Sequence, residues 1–350
     1  MLQKQLLIWY AKNKRELPWR NTQDPYLIWL SEVILQQTRI QQGLPYYQKF
    51  TDKYQTIFEL AQAPNEEIMK LWQGLGYYSR ARNMHETAKI ISFELQGKFP
   101  DNYNSLLKLR GIGPYTAAAI ASFAFHEAVA VLDGNVYRVL SRLYAITDPI
   151  QSGQGKKVFA AIASDFLNKK DPALHNQAMM ELGSLVCKPQ NPNCLECPFQ
   201  NKCLARLQNK QEEFPVQEKK RKAKNRYLHY FYFQHKGKTA IFRRVAGDIW
   251  QNLFDLPFLE FEELVSEEIV RGELENRDWI KNGQNEDLKM VFQTKHLLTH
   301  QHLFATFWLV NSSKIPNLGV ENIWVKPEKL KEYAVSRLLD KFLLHQKIVE

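Results

Sequence analysis

The chain has four cysteines, Cys187, Cys194, Cys197 and Cys203, all within 17 residues and spaced C-x6-C-x2-C-x5-C. Turn formers lie among them (Pro189, Asn191, Pro192, Asn193, Pro198), so the segment can fold its thiolates towards one metal centre. Four thiolates suit either zinc or an iron-sulfur cluster. Zinc sites usually come as two short C-x2-4-C pairs, whereas here one short pair is flanked by gaps of six and five, which favours a 4Fe-4S cluster. Disulfides are the other use of four cysteines, but they belong with small secreted chains that carry a signal peptide. The first residues, MLQKQLLIWYAKNKRELPWR, become charged too soon for a signal-peptide core, and no apolar run approaches a membrane span. A cytoplasmic protein without a membrane segment is expected, in a compartment where reduced thiols can hold a cluster.

A length of 350 residues implies about two domains, each able to bury its own core. The net charge of +10 favours a polyanionic partner, because basic surface releases the counterions condensed on phosphates. Charge alone does not specify nucleic acid, so the motifs must do so.

Residues 1–207 read as successive helical patterns, among them Tyr26 to Ile40, Asn65 to Trp72, Tyr78 to Gln96, Pro114 to Phe125 and Asn135 to Ile146, separated by Gly, Pro and Asp. Residues 208–226 are polar and strongly charged and read as a linker. From Tyr227 short runs rich in aromatic and β-branched residues (YLHYFYF, KTAIFRRV, HLFATFWLV) predict strands, and a helical pattern from Pro327 to Leu344 closes the chain. The expected fold is a mostly α N-terminal region followed by a separate α+β domain over 227–350.

Three places carry chemistry. Residues 105–125 run from an apolar helix end through Gly111-Ile112-Gly113 into a helix opened by Pro114. Two glycines allow close backbone approach, and such a turn aims backbone N–H groups at a phosphate, although a lone G-x-G is more often a plain turn. Asp133, 18 residues past Tyr115, stands where a helix N-cap belongs, and capping is the ordinary use of an isolated Asp there. Glu32 shares a helix face with Ile28, Trp29 and Leu35. A carboxyl in such apolar surroundings keeps its proton near neutrality, as a general acid must.

LPWR (17–20), DPYLIWLSEVILQQT (24–38), GLGYYSRARN (74–83), GIGPYTA (111–117), LDGNVYRVL (132–140) and the cysteine spacing occur in order. Together they resemble an adenine DNA glycosylase of the MutY type, in the helix-hairpin-helix superfamily that also holds endonuclease III. The residues from Gly247 to Phe254 and from His296 to His302 resemble that family's Nudix-like recognition domain. The resemblance implies a 4Fe-4S cluster held by residues 187–203, in a loop that also offers Lys188 and Lys202 to a DNA backbone. It implies that a monomer removes adenine from 8-oxoguanine:A or G:A mispairs in double-stranded DNA and leaves the strand uncut.

By the same resemblance Glu32 protonates the adenine at N7 and Asp133 stabilises the oxocarbenium-like sugar, electrostatically or covalently. Asn135 orients that machinery and Tyr115 supports Asp133. Arg15, Leu17, Trp19, Ile40 and Gln177 line the pocket for the flipped base. Gln37 and Tyr77 fill the vacated stack, although Tyr77 also suits a core aromatic. Arg20, Thr38, Arg80, Gly111 and Gly113 add substrate or DNA contacts, and Leu298, Thr299 and His300 form the loop that reads the opposite base. The chain departs from the pattern at Arg110, where the hairpin usually has proline, and at Leu298-Thr299, where the loop usually reads Phe-Ser.

An endonuclease III-like lyase needs a lysine amine just after the hairpin, where this chain has Tyr115. A non-catalytic iron-sulfur DNA-binding protein would have no use for Glu32, Asp133 and Asn135 together. Nudix hydrolysis is excluded because residues 227–350 lack the G-x5-E-x7-R-E-x2-E-E-x-G box.

Overall fold

The computed structural model describes residues 1–218, 223–245, 247, 249–280, 288–298, 300–311 and 321–348. In chain order the helices are α1 (Leu2–Asn13), α2 (Pro25–Leu35), α3 (Ile40–Lys53), α4 (Ile57–Gln62), α5 (Asn65–Trp72), α6 (Ser79–Lys89), α7 (Tyr103–Leu106) and α8 (Pro114–Phe125). Next come α9 (Gly134–Tyr144), α10 (Gly153–Phe166), α11 (Pro172–Leu185), α12 (Leu204–Leu207), α13 (Glu267–Asn276) and α14 (Arg337–His345). The strands are β1 (Lys224–Gln234), β2 (Thr239–Arg243), β3 (Phe254–Asp255), β4 (Phe258–Phe261), β5 (Leu288–Leu297), β6 (Gln301–Asn311) and β7 (Asn322–Val325). No helix among the described residues is long and apolar enough to cross a membrane. The chain divides into two compact units, Met1–Gln62 with Asn83–Lys219, and Ala63–Arg82 with Lys220–Glu350.

The first unit is helical. Its α1, α9, α10 and α11 close around Leu6, Tyr10, Val139, Leu140, Phe159 and Leu182, and Phe199 from the cysteine segment completes that core. Each such side chain contributes roughly 1.5–3 kcal/mol of burial. Helices α2 and α8 are buried nearly all round, the first through Ile28, Trp29, Leu30 and Ile34, the second through small residues such as Ala117, Ala118 and Ala121. Small side chains let neighbouring backbones approach α8 closely, so the first turn of α8 lies against α2.

The second unit holds two sheets, ordered β4-β1-β6-β5 and β3-β2-β7. The long strands β1 and β6 run parallel, from Lys224 opposite Gln301 to Gln234 opposite Asn311. A bulge between Met290 and Phe292 bends β5 against its antiparallel partner β6. Phe231, Phe233, Val270, Leu274 and Trp279 fill one core, and Phe307 stacks on Phe342 of α14 at 4.4 Å. Residues 63–82, read from the sequence as part of the helical region, group with this unit through specific bonds. Tyr78 Oη donates to the Val335 carbonyl at 3.2 Å, Arg82 Nη1 to that of Gln251 at 2.8 Å, and Lys70 Nζ to that of Tyr333 at 3.2 Å.

Three expected elements differ in detail. The pattern from Tyr26 to Ile40 is two helices, because Gln37 takes φ +56° and α3 turns back so tightly that a Cβ on Gly43 would lie 2.7 Å from Leu35. The closing pattern from Pro327 is a 3-10 turn, Pro327–Glu332, then α14. Between them the Ala334 carbonyl accepts from Phe254 N–H at 2.8 Å, and Ser336 caps α14. The segment 208–226, expected to be a linker, is engaged at both ends. Phe214 is buried in the first unit, and Arg226, within β1, forms a two-pronged bond to Glu260 at 2.6 and 2.7 Å.

Candidate active site

Asp24 caps α2 by accepting from Tyr26 N–H, and Pro25 opens the helix where its missing N–H costs nothing. Two turns on, this helix buries Glu32, which is 5% exposed. Pro114 likewise opens α8, and the next residue, Tyr115, donates its hydroxyl to Glu32 Oε2. The hydrogen bond of Tyr115, expected to support Asp133, goes to the other carboxylate, because α8 packs on α2. Asp133 caps α9 as a lone Asp is expected to, with Oδ1 accepting from Val136 N–H at 2.7 Å. Its Oδ2 accepts from the Asn135 side-chain amide, also at 2.7 Å. Arg138 fixes Asn135 in turn, donating to Asn135 Oδ1 at 2.8 Å and to the Gly183 carbonyl at 2.7 Å.

Burial pushes the Glu32 carboxyl up to about 7, with Tyr115 and Arg20 pulling it down and Asp133 pushing it further up. Burial also raises Asp133, against the pull of Val136 N–H, the side-chain and backbone amides of Asn135, and Arg138. Two carboxyls on one cavity thus differ: one in apolar surroundings with a single hydroxyl donor, one held by several N–H donors and a cation. Environments that separate two titratable groups in this way suit one to hold a proton and the other a charge.

The cavity has a volume of about 1050 Å³. Beside Glu32, Tyr115, Asp133 and Asn135 it is lined by Arg15, Leu17, Trp19, Arg20, Gln37, Thr38, Ile40 and Gln177, so one space gathers twelve of the residues singled out from the sequence. Gln177 accepts from the Tyr10 hydroxyl at 2.9 Å. Glu181 was missed. Its buried carboxylate accepts from Arg15 N–H, Nε and Nη2 and from Arg20 Nη1 and Nη2, at 2.6 to 3.0 Å. The two guanidiniums draw its pKa down to about 2 against the effect of burial. Arg15 and Arg20 are therefore pinned to α11 at the cavity wall. The available sign was spacing, since Glu181 lies one turn after Gln177 on the same helix face.

The hairpin glycines stand apart from the cavity. Gly111 has φ +76°, and a Cβ there would come 2.6 Å from Asn83 Cβ, so both its conformation and its close approach require glycine. Gly113 is the N-cap of α8, with open space around it. In the other unit Tyr77 is 53% exposed, which sets aside the core reading. Arg80, expected as a DNA contact, is buried. Its Nη2 donates to the Leu75 and Gly76 carbonyls, so packing has turned the cation inward. Leu298 is half-buried and His300 exposed at the turn from β5 to β6, where Leu298 N–H donates to the Gln301 carbonyl at 2.8 Å. Thr299 lies outside the described residues.

The four cysteines are unbridged and half-buried, and three of them pack on the α9–α11 core. Among the described residues no three His, Cys, Asp or Glu side chains converge as they would on a single metal ion. The surroundings nonetheless suit thiolate ligands. Arg142, buried on α9, donates to Cys187 Sγ at 3.4 Å and to the Lys188 and Pro189 carbonyls at 2.7 and 2.9 Å. Backbone N–H groups of Phe199, and of Ala205 and Arg206, favour the thiolates of Cys197 and Cys203, while burial pushes those thiols up. A donor set of this kind neutralises the charge of a cluster with four cysteinate ligands.

The pattern of the HhH-GPD superfamily of base excision DNA repair proteins matches residues 30–162, and that of the NUDIX domain matches residues 229–345. An adenine DNA glycosylase of Buchnera aphidicola subsp. Baizongia pistaciae is 33% identical over 330 residues, 91% of this chain and 89% of its own length. The adenine DNA glycosylase of Homo sapiens is 43% identical over 218 residues, 59% of this chain and 40% of its own. Among solved structures, a thermostable thymine-DNA glycosylase superposes with a TM-score of 0.54 at 27% identity, over 59% of this chain and 95% of its own. A helical unit that faces two carboxylates into one cavity, joined in sequence to a NUDIX-like domain, agrees with these matches, and the chain belongs to the adenine DNA glycosylases of the HhH-GPD superfamily, enzymes that remove adenine from DNA.

Proposed function

We propose that this glycosylase acts on adenine mispaired with 8-oxoguanine or guanine in duplex DNA, flipping it into the cavity and leaving an abasic site in an intact strand. The observation that carries the reading is the pair Glu32 and Asp133 on one cavity, the first near neutrality and the second held by a cation and N–H donors. The Tyr115 hydroxyl occupies Glu32 Oε2, so Oε1 carries the transferable proton. Glu32 gives that proton to adenine N7, the C1′–N9 bond breaks with its electron pair leaving on the base, and the sugar takes on oxocarbenium character. Asp133, aimed by Asn135 and Arg138, stabilises that charge electrostatically or by transient attachment, and a water oxygen then bonds to C1′ as its proton passes to the ionised Glu32 carboxylate. Leu17, Trp19 and Ile40 supply apolar wall, Gln177 a polar edge, and the pinned Arg15 and Arg20 a cationic rim. Gln37 and Tyr77 fill the stack that the base leaves. The exposed hairpin at Gly111 and Gly113 suits a phosphate, and the turn at Leu298 and His300, with Thr299, suits the opposite base.

A single-turnover assay on duplexes with adenine opposite 8-oxoguanine, guanine or thymine, with and without alkali, tests the substrate. Faster removal opposite 8-oxoguanine and guanine than opposite thymine is expected, with scission only after alkali because Tyr115 offers no amine. Borohydride trapping coupled to base loss would instead place the chain with the lyases.

We also propose a 4Fe-4S cluster on Cys187, Cys194, Cys197 and Cys203, bracing the loop that begins at the end of α11. Such a cluster would crosslink the loop through its four cysteines. Protein isolated without oxygen should hold about four irons per chain and absorb broadly near ~400 nm. Stoichiometric zinc would refute the assignment. The enzyme is read as a monomer, since every residue lining the cavity comes from one unit, and as cytoplasmic, since a cluster on four cysteines needs thiols kept reduced.

A further inference from the structure

We propose that Arg80 is a positioning residue that presents the Tyr77 ring for insertion into the base stack. The inference rests on the reading of Tyr77 as a residue that fills the vacated stack. Tyr77 combines two features rarely found together, an aromatic side chain 53% exposed and a backbone φ of +48°. An exposed ring in the left-handed region is costly unless something beneath it holds it there.

That support is visible. Trp72 is fully buried and donates Nε1–H to the Gly76 carbonyl at 3.0 Å. Arg80 Nη2 donates to the same carbonyl at 3.2 Å. Both lone pairs of that oxygen are engaged, so the peptide plane that sets the Tyr77 φ cannot rotate. The Tyr77 carbonyl accepts from Arg80 N–H at 2.9 Å, which fixes the other side of the residue. The guanidinium carbon lies over both rings, 5.0 Å from the Trp72 centroid and 5.6 Å from that of Tyr77. A planar cation can face two aromatic rings and still reach in-plane carbonyls, which an ammonium cannot do. Burial draws the Arg80 pKa down to about 10, so the group remains charged near neutrality. Arg80 thus packs against both rings, that of Trp72 fully buried and that of Tyr77 53% exposed. Every nucleobase has a face on which such a ring can stack, so the device tolerates any neighbouring sequence.

The experiment uses the full-length enzyme and duplexes carrying 2-aminopurine next to the target adenine, whose fluorescence rises when the stack opens. Arg80→Lys, Arg80→Met and Tyr77→Ala are compared, each with its thermal unfolding. Arg80→Lys is expected to lower adenine removal opposite guanine on the order of tenfold and to cut the fluorescence rise, as loss of one stacked aromatic would. Tyr77→Ala should lower both at least as far, because it removes the ring itself. The Arg80→Lys defect should shrink to within about threefold when the adenine faces an abasic site, because an unpaired base is cheaper to extrude. Equal defects on both duplexes would mean a merely structural role and would sink the proposal. So would wild-type fluorescence in both Arg80 variants alongside its loss in Tyr77→Ala. Wild-type behaviour of Tyr77→Ala would instead overturn the reading of Tyr77 on which the proposal stands.

Discussion

Glu32→Gln and Asp133→Asn should each slow single-turnover adenine removal by at least ~100-fold, about 2.7 kcal/mol of transition-state stabilisation, with little change in duplex affinity. Both groups act on charge that appears only as the glycosidic bond breaks, so ground-state binding does not sense them. Asn at position 133 keeps an oxygen for Val136 N–H, so the cap on α9 survives and the loss reads on charge alone. Glutamine at position 32 keeps an acceptor for Tyr115 but has no proton to give. The pH profile carries a second check. Glu32 must be protonated to act as the acid, and burial lifts its pKa to about 7, so the wild-type rate should fall as pH rises through that value. A carboxylic acid with an unshifted pKa would already be lost two to three units lower. The descending limb should vanish in Glu32→Gln. Rapid-quench time courses across pH 5.5 to about 9 would show it, and a rate flat across this range would remove Glu32 from the role of acid.

Gly183→Ala is the second large effect, and it comes from packing rather than from chemistry. A Cβ at Gly183 on α11 would stand 2.6 Å from Asn135 Cβ and 2.8 Å from the Asn135 carbonyl oxygen. Backbone cannot give way cheaply, so α9 must move at its first turn, the turn that Asp133 caps. We expect a loss of about 1–3 kcal/mol in stability by urea titration, the usual penalty of overpacking. A shift of the order of 1 Å at Asp133 should also cost up to about 100-fold in rate. Gly272, in the middle of α13 with open space around it, is the control. Gly272→Ala should stabilise by about 0.5–1 kcal/mol and leave the rate alone. Parallel behaviour of the two variants would show that the α9–α11 contact does not govern the site.

Several features were legible because they depend on neighbours in sequence. The cysteine spacing identified one loop, and that loop lies against the α9–α11 core. Asn65–Trp72 and Pro114–Phe125 are helices with the bounds that their periodicity implies, the second opened by its proline. Glu32 among Ile28, Trp29 and Leu35 was readable as a carboxyl in apolar surroundings because helical periodicity alone puts those residues on one face.

Other features depend on which residue arrives from elsewhere. No glycine or proline ends α2 at Leu35; Gln37 takes its positive φ as α3 folds back on α2 through Gly43, and tertiary packing overrides a weak helical preference. The resemblance put Tyr115 beside Asp133, and the packing of α8 on α2 gives its hydroxyl bond to Glu32. The resemblance made Arg80 a substrate or DNA contact, yet Trp72 and the Gly76 carbonyl draw its guanidinium inward. Glu181 went unseen because its meaning lies in two arginines more than 150 residues away. The sequence by itself determined which groups could carry acid, charge and thiolate, since composition and helical spacing set those. Only the tertiary structure decided which groups meet, because a hydrogen bond and a desolvation penalty depend on distance in space, and neither is encoded within a single turn of helix.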